Sequence, residues 1–292
     1  MRQPIEIIEA PLSVGVGLTG VEHMAGALRD AGLQRALAAV ACTAMNAPFN
    51  ARIVDRETAL PEPQKVRAFL LALADSVERV MGAQRFPVVI GGDCTILLGC
   101  LAGAKRSGAI GLLFLDGHTD FNKPGYPDNE PASMDLYLAT GRGPEILSKL
   151  DGEAPLVEER RVVCVGYRDE KYVEAAGGNT PAGTEITLLP LARFRSGGFS
   201  NMVAAALDHL CADEGAFWLH FDVDALDDEA MPAVDYRMKD GLSVGECVEI
   251  IRRARQTGRM CGIDMTIFNP TLDWDGSGAR LLVDLLGAAL KE

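Results

Sequence analysis

Gly111-Leu112-Leu113-Phe114-Leu115-Asp116-Gly117-His118-Thr119-Asp120 is the stretch that decides how this chain folds. Five residues without a polar interruption, too few for a helix, read as a strand buried on both faces. The polar run after it places an acid at the carboxyl end of that strand. In open α/β sheets that end is where ligands collect. Working outward, similar runs recur at Ile5–Ile8, Phe86–Ile90, Arg161–Val165, Ile186–Leu189, Ala216–Phe221 and Met260–Met265. Between or after them, Gly20–Asp30, Pro63–Met81, Thr95–Ala104, Asn201–Leu210, Ser243–Gln256 and Gly278–Leu290 carry helical spacing. Strands alternating with helices specify an α/β fold with a parallel sheet covered on both faces. No repeat or linker interrupts the pattern, so residues 1–292 read as one domain.

Composition narrows the partners. The 292 residues are 48% hydrophobic and 24% charged, with a formal net charge of −13. That acidity excludes nucleic acid and anionic membranes as partners, since both require a basic surface. The Met-Arg-Gln-Pro start lacks a signal peptide, and no run approaches the roughly 18 apolar residues of a membrane span. Seven scattered cysteines with no CxxC pair read as reduced thiols. A cytoplasmic location is expected.

Three motifs carry chemistry, each after an apolar strand. Val88-Val89-Ile90-Gly91-Gly92-Asp93-Cys94 turns tightly on its glycines and sets Cys94 before a helix. Asp116, His118 and Asp120, at alternate positions, are expected to project to one side of a continuing strand. Trp218-Leu219-His220-Phe221-Asp222-Val223-Asp224 repeats the arrangement. Four aspartates gathered at two strand ends repel one another unless a cation sits among them. Two divalent ions would offset that repulsion and activate water between them.

These motifs resemble the arginase, agmatinase and formiminoglutamase family, the ureohydrolases. Gly91-Gly92-Asp93-Cys94 is similar to its Gly-Gly-Asp-His element, Asp116–Asp120 to Asp-Ala-His-x-Asp, and Phe221–Asp227 to Asp-x-Asp-x-x-Asp. Ala10-Pro11-Leu12-Ser13, Gly166-Tyr167-Arg168-Asp169 and Asn269-Pro270 extend the likeness across the chain. The resemblance implies a three-layer sandwich with a mostly parallel sheet of about eight strands. It implies Asp116 and Asp222 bridging two ions, with Asp120 and Cys94 completing one shell and His118 and Asp224 the other. Manganese is the metal it implies, with hydroxide held between the ions attacking a guanidinium carbon. A homo-oligomer, trimer or hexamer, acting on a small molecule is also implied.

Departures from the family bear on both metal and substrate. Cys94 stands where the family has histidine, and its softer sulfur favours Zn²⁺ or Fe²⁺ relative to Mn²⁺. The family's Ser-x-x-x-His element is absent, with Asp135 or Tyr137 as substitutes for its proton-transferring histidine. Asp120, Asp135 and His220 are therefore the candidates for acid–base work, His220 also for a bond behind the ligands. Ile267 replaces the guanidinium-binding glutamate expected three residues after Asp264. Asn122 heads the polar loop Asn122–Pro131, and with Asp135, Lys171, Asp235 and Arg237 it forms the candidate substrate-binding set. The expected activity is hydrolysis of a C–N bond in a small guanidino or amidino compound, N-hydroxyarginine-like and distinct from ordinary arginase. The alternatives are a linear amide or formimino substrate, or a non-catalytic protein on the same fold.

Overall fold

The computed structural model describes residues 3–17, 19–46, 53–108, 110–125, 129–152, 155–212 and 215–291. Eight strands form one sheet: β1 (Ile5–Ala10), β2 (Ala41–Ala44), β3 (Phe86–Gly91), β4 (Ile110–Leu115), β5 (Val162–Val165), β6 (Thr187–Leu189), β7 (Ala216–Asp222) and β8 (Met260–Thr266). Their order is β2-β1-β3-β8-β7-β4-β5-β6, and every pairing is parallel. The sheet is thus wholly, not mostly, parallel.

The near-continuous apolar strands bury both faces. Leu113, Leu115, Val163, Leu219 and Phe221 enter one core with the helices Met24–Asp30, Phe199–Cys211, Val244–Gln256 and Ser277–Leu290. Leu112, Phe114, Val162 and Trp218 enter the other, beneath Pro63–Gly82 and Ile96–Lys105. Each face keeps alternate residues, as the two-residue period of a strand requires. The predicted stripe Val66, Phe69, Leu70, Leu73 and Val77 is buried as expected. Ser243 and Glu246 close a reciprocal capping box at the start of their helix.

Strands β7 and β8 fill the space between β3 and β4, although they come last in the chain. Four central strands, β3, β8, β7 and β4, therefore open their carboxyl ends onto one crevice. That order brings the three distant motifs together.

Several sequence expectations shift. Strand β2 went unrecognised because Ala41-Cys42-Thr43-Ala44 is short and half-exposed, an edge without an apolar run. The helix expected over Gly20–Asp30 begins with a tight turn, Val21–His23, before Met24–Asp30. The loop Asn122–Pro131 gives way at Pro131 to a short helical turn, and its residues 126–128 lie outside the described residues. No described helix is long and apolar enough to cross a membrane.

Candidate metal centre

Backbone packing shapes the first loop. A Cβ on Gly92 would lie 1.7 Å from the Leu12 carbonyl oxygen, so only glycine allows that approach. Asp93 does not face the crevice. Its carboxylate accepts from the Gly15 amide at 2.7 Å and the Thr95 amide at 2.9 Å, tying the loop to the segment after β1. The next residue, Cys94, is thereby pointed inward, where its thiol donates to Asp222 Oδ2 at 2.8 Å.

The second motif departs from the expected alternation. Strand β4 stops at Leu115, and residues 116–120 form a loop with Asp120 at φ 40°. An extended chain would have aligned Asp116, His118 and Asp120, whereas the turn rotates Asp120 away from that alignment. The loop is held by the His118 amide donating to Asp116 Oδ1 at 2.6 Å and by Thr119 bonding Asp169 Oδ2 through backbone and hydroxyl. In the third motif, β7 runs as far as Asp222 and a turn follows over Val223–Ala225. Asp222 caps that turn by accepting from the Asp224 amide at 2.8 Å, which swings the Asp224 carboxylate toward His118.

Arg168 locks this geometry, donating from Nη2 to the carbonyls of Asp224, Leu226 and Met238 and from Nε to that of Lys239. Five donors in one rigid fork suit such a convergence of carbonyls.

Two sets of donors result. Cys94, Asp116, His220 and Asp222, all buried, bring one ligand atom each within 4.8 Å of one another. Asp116, His118 and Asp224 form the second set. Asp116 belongs to both. Among the described residues Asp120 joins neither set, and His220 joins the inner one.

His220 is positioned by the sheet register, which pairs it with Asp264 across β7 and β8. Its Nδ1 lies 2.5 Å from Asp264 Oδ2, and Trp218 Nε1 donates to the other oxygen at 2.6 Å. Gly262 makes room for that indole, since a Cβ there would meet the Trp218 ring at 2.1 Å. Asp264 and Trp218 were not among the predicted site residues. The signal was an acid inside the otherwise apolar run of β8, which a buried strand keeps only when partnered.

Charge crowding dominates the electrostatics. Burial together with Asp224 and Asp116 pushes the Asp222 carboxyl well up. Burial, then Asp116 and Asp135, does the same to Asp120. Burial also opposes ionisation of Asp116, but His118 and His220 outweigh it and hold its carboxyl down at about 2. Both imidazoles stand 3.8 Å from an Asp116 oxygen, too far for a hydrogen bond, so they act there through charge. Burial disfavours the cationic form of both imidazoles, yet neighbouring carboxylates, Asp264 for His220 and Asp224 for His118, raise them well above the usual histidine range.

Two buried atoms at the centre, Asp116 Oδ2 and His220 Nε2, have no hydrogen-bond partner among the described residues. Buried polar atoms are rarely left so. Opposed carboxylates, an unpartnered imidazole nitrogen and a thiol fit a divalent cation chemically, as a sulfur, nitrogen and oxygen donor set.

The remaining predicted residues divide. Asp135 is buried at the start of the helix Asp135–Ala139, with Oδ2 unpartnered and charge coupling to His220 and Asp116. Asn122 Oδ1 is also buried without a partner. Asp235 accepts from Asn269 Nδ2 at 3.0 Å through Oδ1, leaving Oδ2 buried and unbonded. Arg237 is exposed and donates to Asp228, and Lys171 is exposed on the helix Glu170–Ala175. Ile267 is buried in the apolar core at φ 74°.

The model of the arginase family matches residues 3–291. This chain belongs to the arginase family. Arginase of Bacillus subtilis (strain 168) is 28% identical over 99% of this chain and 98% of that protein. Arginase-1 of Homo sapiens is 28% identical over 92% of this chain and 85% of that protein. Among solved structures, arginase from Bacillus subtilis subsp. subtilis str. 168 superposes with a TM-score of 0.85 at 26% identity, each chain 99% covered. The native arginase of Bacillus caldovelox gives 0.88 at 24% identity, again with 99% of both chains covered. This arginase-family member is a ureohydrolase-type hydrolase acting on C–N bonds.

Proposed function

We propose that this hydrolase cleaves a C–N bond in a small guanidino or amidino compound, using two divalent ions held by the two donor sets. One observation carries the reading: an arginase-family chain brings two donor sets, sharing Asp116, to the open end of its sheet. When bound, two ions would depress the pKa of water and neutralise charge developing on the reacting group. Cys94, Asp116, His118, Asp222 and Asp224 are the proposed ligands, with Asp120 held nearby. Mn²⁺ is the family expectation, and the thiol of Cys94 favours Zn²⁺ or Fe²⁺ at its position.

The protein's own groups account for the rest. Burial, partly opposed by the charge of His220, raises the Asp135 carboxyl, and Asp116 adds to the rise, so its unpartnered Oδ2 is the proposed proton carrier. It would serve a departing amine. The unbonded oxygens of Asn122 and Asp235 suit the N–H groups of a planar cation. Lys171 and Arg237 are the proposed contacts for a substrate carboxylate, Arg237 by exchanging its bond to Asp228. A homo-oligomer, trimer or hexamer, of a single cytoplasmic domain is the accompanying proposal.

Ile267 supports a second reading. A buried apolar side chain where a guanidinium would need a carboxylate suits a neutral amide or a formimino group. One experiment separates the two: a panel of guanidino, amidino, formimino and linear amide compounds assayed with Mn²⁺, Zn²⁺, Fe²⁺ or Co²⁺. Urea or a substituted urea from a guanidino compound, or an amide with ammonia from an amidino compound, is the expected product. Formamide from a formimino compound, or ammonia from a linear amide, as the sole turnover favours the second reading, and silence across the panel with metal bound overturns both.

A further inference from the structure

The inner donor set contains a histidine that the resemblance did not place there. His220 is fully buried, its ring stacked on Phe114 at 4.8 Å between centroids. Asp264 takes its Nδ1 side and is itself held by Trp218, so the ring cannot turn without breaking its bond to a fixed buried carboxylate. Nε2 is left facing Asp116 Oδ2 across 3.8 Å, and neither atom has a hydrogen-bond partner among the described residues. An ordinary core histidine would bond through both nitrogens. A carboxylate behind one ring nitrogen is the arrangement that orients the other toward a metal.

We propose that His220 Nε2 is a metal ligand, closing with Cys94, Asp116 and Asp222 a four-donor inner site of the zinc class. The proposal rests on the two-metal reading above and assigns the inner ion's fourth donor to His220 instead of Asp120. Position 94 has lost the family's imidazole, and β7, separated from β3 by β8, supplies another. Bonds of about 2.0–2.3 Å in a tetrahedron set donors roughly 3.3–3.8 Å apart. The His220–Asp116 gap of 3.8 Å meets that spacing, and no donor atom in the set needs to close from more than 4.8 Å. Binding displaces the thiol proton that Cys94 now shares with Asp222, giving thiolate. Four protein donors including sulfur fill the shell that zinc prefers in closed sites. The outer set offers three donors, with His118 partly exposed, and keeps room for solvent or substrate around a harder ion such as Mn²⁺. The two positions would then hold different metals, the inner one fixed and the outer one exchangeable.

Anaerobic cobalt titration of the metal-free protein tests this without any assay of turnover. The wild type is expected to fill one tight site with a thiolate-to-cobalt charge-transfer band and four-coordinate visible absorption. A second, weaker equivalent should add no thiolate band. Asp264→Asn, which removes a positioning group, should weaken the first equivalent by roughly tenfold to 100-fold. His220→Gln should weaken it at least as much, and Cys94→Ser should abolish the thiolate band. His118→Gln should disturb only the second equivalent. Circular dichroism checks folding; should His220→Gln fail to fold, cadmium NMR of wild type with nitrogen-labelled histidine should show coupling to one Nε2 in the thiolate-bound species. An unchanged first equivalent in folded His220→Gln, absence of that coupling, or its loss in Asp120→Asn instead overturns the proposal. No cobalt uptake by the wild type overturns the two-metal reading itself.

Discussion

Replacing Asp222 by Asn should make the metal-free protein more stable and the metal-supplied protein less so. The crowded site is the reason. In the inner set the oxygens of Asp116 and Asp222 lie within 4.8 Å, and two unit charges at that spacing repel by roughly 3.5 kcal/mol at an effective dielectric of about 20. Protonation of the folded protein relieves part of this, leaving a cost of about 2–3 kcal/mol at neutral pH. Asn keeps the shape and the oxygen that accepts from the Asp224 amide but carries no charge. At about 2.1 cal/mol/K per residue, unfolding 292 residues releases roughly 0.6 kcal/mol/K, so Tm in chelator should rise about 3–5 °C.

Metal reverses the order. An ion at 1,000 times its Kd adds about 4.1 kcal/mol, or about 6–7 °C, to the wild type and little to the variant. The pH dependence has a definite sign. Burial, Asp224 and Asp116 raise the folded carboxyl of Asp222, so the folded state holds the extra proton. Chelated wild type should therefore lose stability as pH rises from about 4 toward the raised value, a slope the variant lacks. Differential scanning calorimetry with chelator and with Zn²⁺ or Mn²⁺ reads both effects. A variant no more stable than wild type in chelator, yet stabilised equally by metal, would refute the electrostatic account.

Further tests address the frame and the proton. Gly92→Ala forces a Cβ to within 1.7 Å of the Leu12 oxygen and should cost about 1–3 kcal/mol with weakened metal uptake. Gly245→Ala, where a Cβ meets nothing within 4 Å, is the thermal-melt control and should be neutral or stabilising. Glu6→Gln removes the charge that accepts from Arg79 at 2.8 Å and Arg85 at 2.7 Å, at about 2 kcal/mol because both arginines are half-exposed. Burial works against the Glu6 carboxylate but the two arginines prevail and lower its pKa below 4.5. Its stabilisation should hold above about pH 4.5 and fade as pH falls through the lower folded value, so acid titrations of wild type and variant should converge there. Asp135→Asn should lower kcat by roughly 10²–10⁴ with little change in metal content, and an unaltered pH–rate profile would remove Asp135 from proton transfer.

Uninterrupted apolar runs such as Leu112–Leu115 and Phe86–Ile90 were sufficient to specify buried parallel strands, because only a sheet covered on both faces hides such residues. Acids immediately after those runs pointed to the crevice, and Cys94, Asp116, His118, Asp222 and Asp224 were legible in this way. The edge strand Ala41–Ala44 was not, since half-exposed alternating residues resemble a loop. Local pattern also assumed that residues 116–120 continue as strand. The backbone turn at Asp120 depends on contacts with Asp169 and on the loops that Arg168 clamps, all distant in sequence.

The sequence by itself thus determined the sheet, its two covered faces and the acids at its open end, since period and burial are local properties. The tertiary structure alone decided which candidate donors lie together. Strand order set β7 and β8 between β3 and β4, and their register put His220 beside Asp264 and opposite Cys94. Coordination depends on distances between strand ends, and strand pairing, not spacing along the chain, sets those distances.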